Sequence, residues 1–167
     1  MYYLNLILLY SLVGFTLESE VYKIKNINKK SGALFGPISL VYGFGIVILT
    51  IINKHLFSKI KTNKYLKLII IFISTSIILT SVEALIGYLG SSTLGYDIWN
   101  YQNKKYNIGK YICLELMPIW GLLGTIYLYY IKKYTDKIIK LIPKNLTKVS
   151  TMFLIMDIMF TIFKHNK

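Results

Sequence analysis

An apolar run from Leu68 to Leu89 limits what this chain can fold into, because it contains one acid, Glu83, and no lysine. A helix needs roughly 20 apolar residues to cross a bilayer, and lipid tolerates only structures that satisfy their own backbone polar groups. Further apolar runs cover 1–17, 34–52, 111–131 and 149–163. The sequence therefore predicts an all-α, polytopic bundle of four to five transmembrane helices, in one integral membrane domain spanning 1–167.

The C-terminal third is predicted to differ from this pattern. In residues 132–148, isoleucines and leucines alternate with lysines, which is typical of an amphipathic helix on the membrane surface. We expect this helix to end at Pro143. The last run, 149–163, is short for a full span, so an interfacial or tilted helix is expected, with Asp157 facing lipid headgroups. The lysine-rich segment 54–67 favours a second, shorter surface helix.

The basic residues restrict the partners. The formal charge of +13 comes from 20 lysines with no arginine, and arginine is the usual residue for bidentate contacts to phosphates and bases. Together with a mean hydropathy of +0.51, this argues against a nucleic-acid partner and favours membrane lipid, most simply in a bacterial plasma membrane. One cysteine, Cys113, and no histidine in the apolar runs predict neither a metal site nor a cofactor.

Polar and acidic residues are predicted to collect on one side of the membrane. Consecutive spans cross the membrane in opposite directions. The same side therefore holds the end of the first run, the start of the second, the end of the third, the aromatic segment 90–110 and the start of the fourth. Ionisable groups inside a bilayer usually face a cavity or the bundle interior. We therefore predict an acidic, aromatic-lined pocket, formed by Glu18, Tyr42, Glu83, Trp99, Asn100, Glu115 and Trp120. For Glu83 and Glu115 the alternative is a buried ion pair with a loop lysine, and Glu20 and Asp97 are expected to be solvated.

Glycines mark the second apolar run. The segment 32–45 has four of them, which permit close approach of neighbouring helices. We expect its Gly32, Gly36, Pro37, Gly43 and Gly45 to shape one wall of the pocket. Glu18 followed by Pro37 and Tyr42-Gly43 parallels Glu83 followed by Pro118 and Trp120-Gly121. This parallel raises the hypothesis of two helix-pair repeats, as found in transporters.

These residues, in this order, resemble the CmpB-like or type IV group of bacterial ABC-transporter permeases over Gly14 to Gly124. Gly14 and Glu18 match its first helix; its glycine-proline block and its later positions are matched by Gly32, Leu34, Gly36, Pro37, Tyr42, Gly43, Gly45, Glu83, Trp99, Tyr101, Asn107, Trp120 and Gly121. The family's two usual arginines are absent. Lys30 and Lys110 are the candidate substitutes, with a possible anion contact, and Asn100 replaces the usual aspartate.

The resemblance implies a permease-like subunit that moves a small polar or cationic solute. The chain has no nucleotide-binding loop, so a separate ATPase subunit would dock on the opposite face, at 54–67 and 132–148. Two to four copies could be needed to enclose a path. Two alternatives remain open: a membrane enzyme acting on a lipid, with Glu83 or Glu115 as acid–base group and Lys30 or Lys110 holding a phosphate, and a scaffold without substrate.

Overall fold

The computed structural model describes residues 1–165, which form an all-α bundle with one small hairpin. Six helices follow one another along these residues, and two short strands lie before the fourth. The helices are α1 Tyr2–Ile24, α2 Leu40–His55, α3 Lys64–Leu94, α4 Met117–Ile126, α5 Lys132–Leu141 and α6 Lys144–His165; the strands are β1 Asn107–Ile108 and β2 Ile112–Cys113, which pair antiparallel.

Local sequence explains where the longest helix begins and ends. Before α3, the side chain of Asn63 accepts a hydrogen bond from the amide of Leu66 at 2.7 Å, which satisfies one of the free N–H groups of the first turn. After it, Gly95 takes a left-handed conformation with φ +75°. Such a conformation is a common helix terminator and favours glycine, so the 31-residue helix is capped at both ends.

The helices associate as two antiparallel pairs, and in each pair a glycine brings the backbones together. Gly43 on α2 lies against Ser11 of α1, and Gly121 on α4 lies against Ser76 of α3, so closely that a Cβ on either glycine would overlap the serine hydroxyl. Small residues at such crossings give close van der Waals packing between membrane helices. This contact pattern positions α1 against α2 and α3 against α4.

The packed core lies between α2, α3 and α4. Leu49, Leu79 and Tyr127 are buried there, and the Tyr127 and Thr50 hydroxyls share a hydrogen bond of 2.8 Å. Most other large apolar side chains point outward, as Phe153 does with 61% of its surface exposed. Within residues 1–165, four helical segments are long and apolar enough to cross a membrane: α1, α2 with the turn after it (Leu40–Lys59), α3 and α6. The prediction of a helical membrane bundle is confirmed.

Two predicted helix starts were wrong. The second helix begins at Leu40, and 31–37 forms a bent loop before it, so Gly32, Gly36 and Pro37 belong to a loop. The fourth begins at Met117, because residues 111–116 complete the hairpin and the turn that follows it. Proline at the second position of α4 fits this start, since the first turn of a helix leaves its N–H groups without helical partners.

The C-terminal third also differs from the prediction. An amphipathic helix is present at α5, but it continues from α4 through a π-helical turn, Tyr127–Ile131, and ends before Pro143. The last helix has 22 residues and is long enough to cross a membrane, because it begins at Lys144, earlier than the apolar run suggested. In the segment 54–67, a single short 3-10 turn, Phe57–Lys59, stands where a surface helix was expected.

Candidate functional site

Glu83 is the buried acid at the centre of the candidate site. It lies in the second half of α3, with 4% of its surface exposed. One carboxylate oxygen accepts a hydrogen bond of 2.7 Å from the Tyr101 hydroxyl, and the other accepts one of 2.8 Å from the indole N–H of Trp120. Hydrogen bonds to an ionised group are about twice as strong as neutral ones, so both donors help to hold the carboxylate in the apolar helix.

Tyr101 reaches Glu83 from the aromatic segment between α3 and α4. Its amide donates to the Lys110 carbonyl at 2.8 Å, which ties the residue to the hairpin. Burial raises the pKa of the Tyr101 hydroxyl far above its usual range, and the neighbouring Glu83 carboxylate raises it further. The hydroxyl is therefore protonated at neutral pH and acts as the donor.

A second acid, Glu18, has an equivalent arrangement on α1. Its half-buried carboxylate accepts hydrogen bonds from the Tyr22 hydroxyl, one turn further along the helix, and from the Ser31 hydroxyl at 2.7 Å. Ser31 is 2% exposed and lies in the loop before α2. Both acids thus lie near the C-terminal end of the first helix of a pair, and a neighbouring loop supplies one donor to each.

Two aromatic rings connect these acids. Tyr42 of α2 and Trp120 of α4 are in contact, with ring centroids 5.6 Å apart and planes tilted by 56°. The Tyr42 ring also packs against Gly14 of α1, one turn before Glu18. We call Glu18, Tyr42, Glu83, Tyr101 and Trp120 the buried cluster. It lies between the two helix pairs, at the end where α1 and α3 finish.

The two pairs also correspond residue by residue. Ser11 and Glu18 on α1 have the same spacing as Ser76 and Glu83 on α3. The two serines contact Gly43 and Gly121, and each of these glycines directly follows one of the two ring residues of the buried cluster. The contact between those rings thus joins corresponding positions of the pairs. This is the pattern expected of two parallel repeats about an axis along the membrane normal.

Three other predicted site residues lie outside the buried cluster. Asn100 is exposed; its side-chain amide donates to Asp97 at 3.1 Å and to Gln102 at 3.0 Å. Glu115 is exposed in the turn before α4. Trp99 is half-buried, and its ring packs over Gly87 of α3.

The two predicted anion contacts have partners within the chain. Lys110 pairs with Asp97 at 3.1 Å, and this hydrogen bond, with one from Tyr111, holds the pKa of the exposed Asp97 carboxyl below its usual range. Lys30 donates to the carbonyl oxygens of Leu34 at 2.7 Å and Phe35 at 2.8 Å, which stabilises the glycine-rich loop.

The prediction that Asp157 faces lipid headgroups was wrong. The Asp157 carboxylate, on α6, accepts hydrogen bonds from the backbone amides of Phe35 at 3.0 Å and Gly36 at 2.9 Å. A Cβ on Gly36 would lie 2.7 Å from one of these oxygens, so the glycine lets the carboxylate approach. Gly32 has φ +67°, which also favours glycine, and Gly45 packs on Leu79 of α3. The loop is thus fixed to α6 as well as to α1.

A cavity of about 280 Å³ lies beside the buried cluster, between the loop before α2, the end of α3 and the end of α6. Its wall is almost entirely apolar, and of the predicted site residues only Gly32 and Trp99 line it. The acids of the buried cluster do not. Within residues 1–165, no group of three or more His, Cys, Asp or Glu side chains is placed to hold a metal ion.

A family model described as "Putative ABC-transporter type IV" matches residues 5–164. The chain belongs to this family. The match extends the resemblance from residues 14–124 to α5 and α6, so these helices are part of the family architecture. No curated protein and no solved structure matches the chain.

Sequence reasoning missed several contacts in this type IV ABC-transporter protein. Tyr22, Ser31 and Tyr101 were not predicted as donors to the acids, because tyrosines near a membrane interface are belt residues by default and a loop serine carries no pattern. The contact of Asp157 with the loop joins residues more than a hundred positions apart, which no local pattern indicates. The available indication was a lone acid in an apolar helix, where such a group needs a partner.

Proposed function

We propose that this chain is the permease subunit of an ABC-type transporter in a bacterial plasma membrane, and that a small polar or cationic solute passes at the buried cluster. The observation that carries the proposal is Glu83, a carboxylate inside a membrane helix at the junction of two helix pairs. Acids in such positions are costly in lipid and most often mark a solute or ion pathway.

The contacts of Glu83 suggest how a solute would be admitted. Both carboxylate oxygens accept hydrogen bonds from the chain itself, so a cation would have to replace the Tyr101 hydroxyl or the Trp120 indole as partner. Tyr101 belongs to a segment outside the helices, whereas Trp120 is fixed in α4. The Tyr101 segment is therefore the element that we expect to move when the cluster opens.

The predicted ATPase partner stays part of the proposal. Family membership makes a separate ATPase subunit plausible. At the end of the bundle opposite the buried cluster, the turn after α2, the start of α3, and α5 present exposed lysines. This surface is where we expect the ATPase to dock. Assembly of two to four copies around a path remains a prediction.

The lipid-enzyme alternative has less support. An apolar cavity adjoins the site, but neither Glu83 nor Glu115 is among the residues that line it. An acid–base group would have to contact the substrate to do chemistry. Lys110, the predicted phosphate contact, is already paired with Asp97.

The solute part is tested by melting the purified full chain with three probe cations: methylammonium, choline and putrescine. A ligand that binds the folded state raises the melting temperature, so at least one probe should do so in the wild type and none in the Glu83→Gln variant. Glu20→Gln is the matched control, because Glu20 is an exposed acid that pairs with Lys23. An equal response in wild type and Glu83→Gln would contradict the role of Glu83.

The partner part is tested by isolating the tagged chain from native membranes in mild detergent. We expect an ATPase to be recovered with the wild type and to be lost when the α5 lysines Lys133, Lys137 and Lys140 are replaced by glutamate. The matched control replaces Lys104 and Lys105, exposed lysines of the aromatic segment, with glutamate. Recovery of no ATPase with the wild type would count against coupling to ATP.

A further inference from the structure

The apolar cavity has no part in the proposed solute site, and its position suits a hydrocarbon chain. It is formed where the loop before α2 and the start of α2 meet the last turns of α3, the segment just after α3, and the end of α6. Ile86, Leu89, Ile158 and Ile162 contribute walls from helices that are long and apolar enough to cross a membrane. Its volume of about 280 Å³ is just below the usual range for ligand pockets, which suits part of one acyl chain better than a bulky ligand.

Ammonium groups lie around the loop that borders this cavity. Lys29 donates to the carbonyl of Ile98, a lining residue, at 3.2 Å, and Lys30 donates to the carbonyls of Leu34, also lining, and Phe35. A third ammonium group, that of Lys164, lies 4.6 Å from the centre of the Phe35 ring. Two acids also contact this loop: Asp157 accepts from the amides of Phe35 and Gly36, and Glu18 accepts from the Ser31 hydroxyl. Three ammonium groups against two carboxylates leave the loop with a net positive charge.

These lysines retain donors for a ligand. An ammonium group has three N–H donors; Lys29 uses one of them and Lys30 two in the contacts described. Both side chains belong to exposed residues. A phosphate at the mouth of the cavity would meet an unused donor from each lysine, and lysines near the membrane surface attract anionic lipid.

Trp99 supplies an independent indication. It lines the cavity, and its indole N–H is buried without a hydrogen-bond partner among the described residues. Buried donors are rarely left unpaired, because they have lost their hydrogen bonds to water. The ester carbonyl at the glycerol end of a phospholipid is an acceptor of the kind that this group lacks, and it would reach the N–H once the Trp99 side chain turns toward the cavity.

We propose that the cavity is a binding site for one anionic phospholipid, with an acyl chain between α3 and α6 and the phosphate at Lys29 and Lys30. Such a lipid would hold the loop before α2 against the end of α6. The site is separate from the buried cluster, so it stands whether or not the chain transports a solute.

The acyl-chain part is tested by native mass spectrometry of the full chain with added phosphatidylglycerol. Thr93 lines the cavity and Ser92 does not, although both are exposed on α3 and both hydroxyls donate to a carbonyl one turn earlier. Thr93→Phe should lower lipid affinity about tenfold by filling the cavity, and Ser92→Phe should leave it unchanged. The proposal would be overturned if both variants bound phosphatidylglycerol with equal affinity, or if the wild-type chain kept bound detergent and no phosphatidylglycerol.

The headgroup part compares phosphatidylglycerol with phosphatidylcholine of the same acyl chains. The wild type should prefer the anionic lipid, and Lys29→Gln and Lys30→Gln should each reduce the preference about fivefold. Lys25→Gln is the control, because Lys25 is an exposed lysine just beyond α1 whose ammonium group, unlike those of Lys29 and Lys30, makes no hydrogen bond to a lining residue among the described residues. Equal binding of both lipids by the wild type would overturn the assignment to an anionic lipid.

Discussion

Replacing Glu83 by leucine or by glutamine separates the effect of its hydrogen bonds from the effect of its charge. In Glu83→Leu, the Tyr101 hydroxyl and the Trp120 indole lose their acceptor together. In Glu83→Gln, the amide oxygen can accept from the indole, while the amide N–H donates to the tyrosine hydroxyl, which can also act as acceptor. Leucine therefore leaves both donors without their acceptor, whereas glutamine keeps one hydrogen bond to each partner.

The structure allows the magnitude to be worked out. Each unpaired buried donor costs about 1–3 kcal/mol, so two cost about 2–6 kcal/mol. Removing a buried charge recovers part of the cost of taking it out of water. We expect a net destabilisation of about 3 kcal/mol for Glu83→Leu, which lowers the melting temperature by roughly 6–12 °C in a chain of this size. For Glu83→Gln we expect about 1 kcal/mol or less.

The chain provides its own reporter for this measurement. Cys113 is the single cysteine and is 1% exposed, so we expect its free thiol to react with a fluorogenic maleimide only after unfolding. Melting curves of wild type and variants in detergent then give the shifts directly. Glu20→Leu, which removes an exposed pair with Lys23, should change little. The buried hydrogen bonds do not stabilise the fold as argued if Glu83→Leu has the melting temperature of the wild type. The same conclusion follows if Glu83→Gln lowers the melting temperature as much as Glu83→Leu does.

Three further predictions follow from other contacts. Asp157→Ala should speed amide hydrogen exchange in the loop around Gly36 and leave α4 unchanged, as exchange mass spectrometry would show. Gly121→Leu should force α3 and α4 apart and lower the stability of the fold by about 2 kcal/mol, measured by the thiol assay. An unchanged melting temperature would mean that the two helices are not closely packed at this crossing. Because the pKa of Asp97 is lowered in the folded state, its contribution to stability is present above the carboxyl's ordinary pKa and is lost as pH falls through the folded value. Trp fluorescence followed during acidification below about pH 4 should show this loss. Lys110→Gln should move the midpoint of the transition to a higher pH.

The placement of the two acids has a consequence for how the bundle is built. Each lies in the second half of the first helix of a pair, and the serine seven residues before it makes the small-residue contact that sets the crossing. A change at Gly43 or Gly121 would therefore move a ring of the buried cluster, since Tyr42 and Trp120 directly precede these glycines. Packing and site geometry are coupled through adjacent residues, and variants at the glycines should alter both.

The sequence by itself determined the class of fold. Runs of apolar residues separated by lysines leave few solutions in lipid other than helices, and α1, α2 and α3 fall on the predicted runs. It also determined that the ends carrying Glu18, Tyr42, Glu83 and Trp120 meet on one side, because each crossing reverses the direction of the chain. The order of these residues was sufficient to indicate the family.

Only the tertiary structure decided which polar groups meet. Glu83 selects Tyr101 and Trp120 as its donors, while the nearby Asn100 bonds to Asp97 and Glu115 stays exposed, because side-chain contacts depend on helix rotation and loop path. The physical reason is distance along the chain: a carboxylate in an apolar helix must find donors, but the sequence does not say which distant segment brings them. The same need explains the contact of α6 with the loop before α2, which joins residues more than a hundred positions apart.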